Sequence, residues 1–128
     1  NKSGVFKIVH GNNSFLFVGD AEYPAERILM KSYGRFLDSD ILKVGHHGSN
    51  SSSTHEFLEY VSPDYAVISV GTKNRYNHPD NQIIYRLEKS TEKLFRTDLD
   101  GAVIFTYGGN SLNIKTIVSE KEIIDFDI

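Results

Sequence analysis

The chain has no cysteine. Disulfides, thiolate metal sites and cysteine nucleophiles are therefore excluded, and the redox state of its compartment is left open. It also lacks any apolar run near the ~20 residues that a membrane-spanning helix needs. Its N-terminus has no charged-then-apolar pair of the kind that directs secretion, so any such segment of a parent protein would lie outside this stretch. Neither sign of charge dominates: 14 Lys and Arg against 17 Asp and Glu give a net charge of -3. A broad basic surface for holding a polyanion is excluded, although a local site could still handle phosphate through a metal. No internal repeat and no linker divides the sequence. At 128 residues and 39% hydrophobic content it makes one domain, 1–128, with a single modest core.

What is present is a series of short apolar runs separated by polar loops. Residues 5–9 alternate apolar and polar, and a second run at 14–18 follows His10-Gly11-Asn12-Asn13, which predicts a hairpin. A helix is expected from about Pro24, with Ala25, Ile28, Leu29 and Tyr33 as its inward stripe and Gly34 as its stop. Residues 41–44 predict a strand in the sheet interior. Ser53 and Glu56 fit a capping box for a second helix over 54–60, facing Phe57, Leu58 and Val61 inward. Residues 65–70 form the clearest strand, and Asp80 caps a third helix through Ile83, Ile84 and Leu87. Strands follow at 93–96, 102–107 and 112–117, with 97–101 as a turn, while 119–128 carries no assignable element. The order β-β-α-β-α-β-α-β-β-β implies an α/β layered fold, a mixed sheet with three helices.

Three polar loops, 19–22, 45–53 and 71–79, each follow a strand. Ligands bind at that edge of open α/β sheets. Asp20 with His46 and His47 supplies oxygen and imidazole donors of the kind that hold zinc or a similar divalent ion. Two adjacent histidines before Gly48 make a compact polar cluster rather than a flexible serine spacer. His10 reads as a turn residue, His55 as helix surface, and Asp98 as a turn residue able to pair with Arg96. The plainer alternatives are that Asp20 only opens a helix and that His78-Pro79 only stops a loop.

Taken together and in order, several stretches resemble one family: Gly19-Asp20-Ala21-Glu22, Leu42-Lys43-Val44-Gly45-His46-His47-Gly48-Ser49, residues 65–71, Asn74-Arg75-Tyr76-Asn77-His78-Pro79, and Arg96-Thr97-Asp98 with Gly101-Ala102. They look like the second half of the metallo-β-lactamase-like domain of ComEC-type competence proteins and their stand-alone secreted relatives, over roughly residues 1–106. The resemblance implies the C-terminal half of an αββα sandwich that holds one or two metals, Zn or Mn, and hydrolyses phosphoesters or related bonds. It further implies a nuclease linked to DNA uptake, in a membrane-attached or extracytoplasmic parent, with nucleic acid or a small phosphodiester as substrate. On this likeness Asp20 is the metal-bridging carboxylate and His47 or His46 the last histidine ligand, His47 being favoured because glycine follows it. His78 and Asn74 line the mouth, His78 as proton donor or phosphate holder, a role open to Ser49 as well. Asn77 stands where glycine is usual. The family's first-half motif, His-x-His-x-Asp-His, does not occur in this sequence. The remaining ligands are too few for a firm site, so this chain is expected to bind metal weakly, to be inactive alone and to need the missing N-terminal half-domain. The competing expectation is a non-catalytic half-domain that packs on a partner or swaps into a homodimer.

Overall fold

A computed structural model describes residues 2–108, 110–119 and 122–127. Strands β1 (Phe6–His10) and β2 (Asn13–Phe17) pair antiparallel around Gly11, whose φ of +58° lies in the left-handed region. From β2 the chain passes through α1 (Tyr23–Tyr33) to β3 (Ile41–Lys43), then α2 (His55–Val61), β4 (Tyr65–Ile68), α3 (Asn81–Ser90) and β5 (Lys93–Arg96). Each of β3, β4 and β5 adds in parallel, giving a mixed five-stranded sheet in the order β1-β2-β3-β4-β5. A single helical turn, α4 (Thr97–Asp100), leads into a second, antiparallel sheet of β6 (Ala102–Gly108), β7 (Ser111–Ser119) and β8 (Glu122–Asp127).

The alternation of strand side chains divides the core in two. Leu16, Leu42, Ala66 and Ile68 point to the helix side and meet Met30, Phe57, Leu58, Ile83 and Leu87. Ile41, Tyr65 and Phe95 point the other way and meet Leu112 and Ile114 of the second sheet, with Phe15 and Phe95 each edge-on to Phe105. The layers are therefore helices, sheet, sheet. That is three of the four layers of an αββα sandwich, and among the described residues no helix covers the outer face of β6–β8. No helix among them is long and apolar enough to cross a membrane.

Local expectations fail in four places. Residues 97–101, read as a turn, form the helical turn α4, which makes four helices where three were expected. The buried stripe of α1 holds Glu26 and Met30 with partly buried Ala25 and Leu29, whereas Ile28 and Tyr33 are exposed. Helix α2 is capped by Thr54, whose Oγ1 accepts from Phe57 N at 3.3 Å, and not by Ser53, which adopts φ +48° one residue earlier. Segment 119–128 contributes β8, because pairing with β7 places Ile124 beside Thr116 and Phe126 beside Ile114. Residues 120, 121 and 128 lie outside the described residues.

Candidate functional site

The C-terminal ends of β2, β3 and β4 deliver all three polar loops to one edge of the sheet. After β2, Gly19 takes φ +57° and the chain turns so that Asp20 leads into α1. After β3, residues 45–48 form a 3-10 turn in which both histidines are left-handed, His46 at φ 45°, ψ 45° and His47 at φ 54°, ψ 25°. Each such non-glycine residue costs roughly 1–2 kcal/mol, so the surroundings must hold them. His46 N donates to Gly19 O at 3.0 Å, Ser49 N donates to His46 O at 3.0 Å, and Asp80 N donates to Gly48 O at 3.0 Å. Gly48 itself sits at φ +81°, where a Cβ would lie 2.6 Å from Cβ of Pro79.

This strained turn aims the two imidazoles differently. His47 Nδ1 lies 2.8 Å from Ser69 O. A carbonyl only accepts, so Nδ1 carries the proton and, in the neutral ring, Nε2 is left with its lone pair. That Nε2 is 3.9 Å from Asp20 Oδ1, beyond hydrogen-bond reach, with both side chains about half exposed. His46 Nδ1 instead donates to Glu22 Oε1 at 2.8 Å. Glu22 also accepts from Ser51 Oγ at 2.8 Å, and these two bonds hold its carboxyl below the ordinary carboxylate range. Because the Ser51 proton is spent on Glu22, Ser49 Oγ must be the donor in the 2.8 Å Ser49–Ser51 contact.

The third loop brings His78 alongside, its ring centroid 5.7 Å from that of His46. Asn74 fixes it: Nδ2 donates to His78 O at 2.7 Å while His78 N donates to Asn74 Oδ1 at 2.8 Å. The Asn74 amide is thus engaged in shaping the loop, and Asn77, at φ +53°, takes the conformation for which glycine is usual. Lys43 lies half-buried beside Asp20; burial pushes its pKa down, against the opposing pull of the Asp20 carboxylate.

The six residues singled out from sequence therefore share one sheet edge: Asp20, His46, His47, Ser49, Asn74 and His78. Sequence reasoning did not anticipate Glu22 as the partner of His46, nor the Ser69 carbonyl as the group orienting His47; the Asp-x-Glu spacing was a signal for the former. Asp98 is structural, paired to Arg96 at 3.0 and 2.6 Å, and Thr97 Oγ1 ties α4 to Val70 N and O. As a metal centre the site is partial. A zinc–nitrogen or zinc–oxygen bond is about 2.0–2.2 Å, so Asp20 Oδ1 and His47 Nε2 are near enough to share an ion. Among the described residues, however, no group of three His, Asp or Glu side chains could hold one.

The metallo-beta-lactamase superfamily model matches residues 1–72. Competence protein ComA of Neisseria gonorrhoeae is 45% identical over 107 residues, which are 84% of this chain and 16% of that protein. ComE operon protein 3 of Bacillus subtilis is 36% identical over 84% of this chain and 14% of its own length. Recombination protein 2 of Haemophilus influenzae is 34% identical over 88% of this chain and 14% of its own. The chain thus spans about a sixth or less of these curated relatives, and no solved structure matches it. With a superfamily model covering more than half of its residues, and an Asp-His pair at the sheet edge, the chain belongs to the metallo-beta-lactamase superfamily and is similar to part of the ComEC-type competence proteins.

Proposed function

We propose that this chain supplies the Asp20 and His47 part of a divalent-metal hydrolase site that cleaves phosphodiesters, as a nuclease acting in DNA uptake. The observation that carries this reading is the approach of His47 Nε2 to Asp20 Oδ1 at 3.9 Å, the other ring nitrogen being tied to a backbone carbonyl. Metal-ligating histidines are oriented by such an outer bond, which also fixes their tautomer. His46 is oriented by an outer bond of the same kind, from Nδ1 to Glu22; what favours His47 is the Asp20 carboxylate 3.9 Å from its Nε2. A divalent ion bound there supplies Lewis-acid activation of water and of the phosphoryl group. The remaining roles belong to side chains: His78, held by Asn74, faces the site as a phosphate holder or proton donor, and the Ser49 hydroxyl becomes a phosphate contact only by turning its proton away from Ser51. Further ligands come from an N-terminal half-domain in a longer, membrane-attached or extracytoplasmic parent, so this chain alone is inactive.

The test is manganese- or zinc-dependent hydrolysis of bis(4-nitrophenyl) phosphate and of DNA by a polypeptide that also carries the His-x-His-x-Asp-His half. Asp20→Ala and His47→Ala are each expected to abolish turnover. Undiminished turnover by Asp20→Ala would remove the assignment. A second reading is favoured by one observation, the exposure of Phe6, Ile8 and Phe17 on the face of the main sheet that β6–β8 leaves uncovered. On that reading the chain is a non-catalytic half-domain that packs on a partner or swaps into a homodimer. It predicts no hydrolysis by any metal-supplemented form.

A further inference from the structure

The loop between β4 and α3 carries a feature that metal hydrolysis does not require. Tyr76 is 64% exposed, within a stretch, 71–78, whose other residues are polar or glycine. Its ring lies nearly parallel to that of His78, with centroids 5.9 Å apart and planes at 21°. His78 in turn stands 5.7 Å from His46, and His46 stands 6.3 Å from His47. Planar rings therefore run in an unbroken row from the loop tip to the Asp20–His47 pair. On the outer end, the Arg75 guanidinium lies 5.2 Å from the Tyr76 centroid. Among the described residues neither Arg75 nor Lys73 has a carboxylate within ion-pair distance. The loop is not free to collapse over the site, because Asn74 clamps His78 at both its N–H and its carbonyl.

An exposed ring next to Arg75, in a loop that also carries Lys73, is poorly explained by stability, since a polar side chain at Tyr76 would cost the fold little. It is what a single nucleic-acid strand needs: a flat face for a base and positive charge for the adjoining phosphates. A duplex keeps its bases stacked inside and offers this ring nothing. We infer that Tyr76 is a stacking platform for one unpaired base of a single strand, with Arg75 and Lys73 on the phosphates beside it. Arg75 is itself exposed, so a base can take its place over the ring while the guanidinium turns to a phosphate. The inference deepens the hydrolase reading and rests on it: it names single-stranded nucleic acid as the substrate class for that site, and Tyr76 as a specificity residue rather than a catalytic one.

Binding can be measured without catalysis. The full chain is titrated into a fluorescein-labelled 12-nucleotide oligo(dT), a hairpin duplex and an abasic strand of equal length, in EDTA, and read by anisotropy. Expected results are tighter binding of oligo(dT) than of either competitor, a loss on the order of tenfold in Tyr76→Ala, and near-normal binding by Tyr76→Phe. Binding should fall in Arg75→Ala for the abasic strand as well, because that contact is to phosphate. Equal binding of oligo(dT) by wild type and Tyr76→Ala, equal binding of the abasic strand and oligo(dT), or no binding of any strand would each overturn the inference. Because binding is read in EDTA, no metal-dependent step enters it. Failure of the base platform is thereby separable from failure of the hydrolase reading, which is decided by turnover.

Discussion

Glu26 is the most costly side chain in the molecule to explain and the most informative to change. It is 0% exposed on α1, yet it is a carboxylate, and it accepts from Ser53 N, from Thr54 N at 3.0 Å and from Thr54 Oγ1 at 2.7 Å. Those bonds anchor the loop that leaves the histidine turn, and Arg86 adds a second anchor through Ser52 O and Ser53 O. Glu26→Ala would leave buried donors unmet, and a loss of about 3 kcal/mol in urea unfolding is expected. Burial raises the Glu26 pKa above its ordinary 4.5, outweighing the lowering by its hydrogen bonds. Between 4.5 and that raised value the folded chain holds more protons than the unfolded one, so this group's contribution falls as pH rises through the window. The stability of wild type relative to Glu26→Gln should accordingly decline from pH 4.5 toward neutrality; a difference that grows with pH would contradict the assignment. Gly48 gives a second case at this scale. Its φ of +81° and the close approach of Pro79 predict a cost of about 2–4 kcal/mol for Gly48→Ala, measurable by thermal or urea unfolding.

Among the elements, α2 depends on Thr54 for its N-cap, and Thr54→Ala should lose about 1–2 kcal/mol, since it removes both the cap and a bond to Glu26. Ser53→Ala, which a cap at Ser53 would make costly, is expected to be near neutral, its Oγ being buried with no partner among the described residues; chemical denaturation of the two variants compares them directly. The same pair shows what the sequence could disclose. Strands β3 and β4 were legible because short, mostly apolar runs rich in β-branched residues and ending in glycine have little else to become. The site loops were legible for the same reason, as their positions follow from where strands end. The burial of Glu26 in place of Ile28 was not legible. Periodicity counts apolar residues as inward, and only the docking of 52–54 onto α1 makes an inward carboxylate tolerable. Strand β8 was hidden because Glu122, Asp125 and Asp127 mask its apolar alternation, and pairing with β7 alone reveals that Ile124 and Phe126 share a face with its inward residues. The His46–Glu22 bond lay beyond reach too, since it depends on the left-handed turn that sends the two imidazoles in different directions.

For the whole molecule, the decisive property is an α/β/β stack whose inner sheet surface is only partly covered. Phe6, at 64% exposure, stands with Ile8 and Phe17 exposed, and among the described residues β1 is an edge strand with one side unpaired. Exposed apolar edges of this kind promote association. Sedimentation velocity should show concentration-dependent self-association that Phe6→Lys with Ile8→Lys reduces; a strictly monomeric wild type would count against an uncovered face. The same architecture brings Asp20 and His47 together while leaving them short of a full ligand set, which makes metal binding the property on which the account turns. Long-range 1H–15N NMR of the imidazole nitrogens during a zinc titration tests it most directly. The account predicts that the His47 Nε2 signal responds first, with Nδ1 still protonated, and that the response is lost in Asp20→Ala. Zinc reaching His10 or His55 while His47 stays unchanged, or a His47 response indifferent to Asp20, would contradict it.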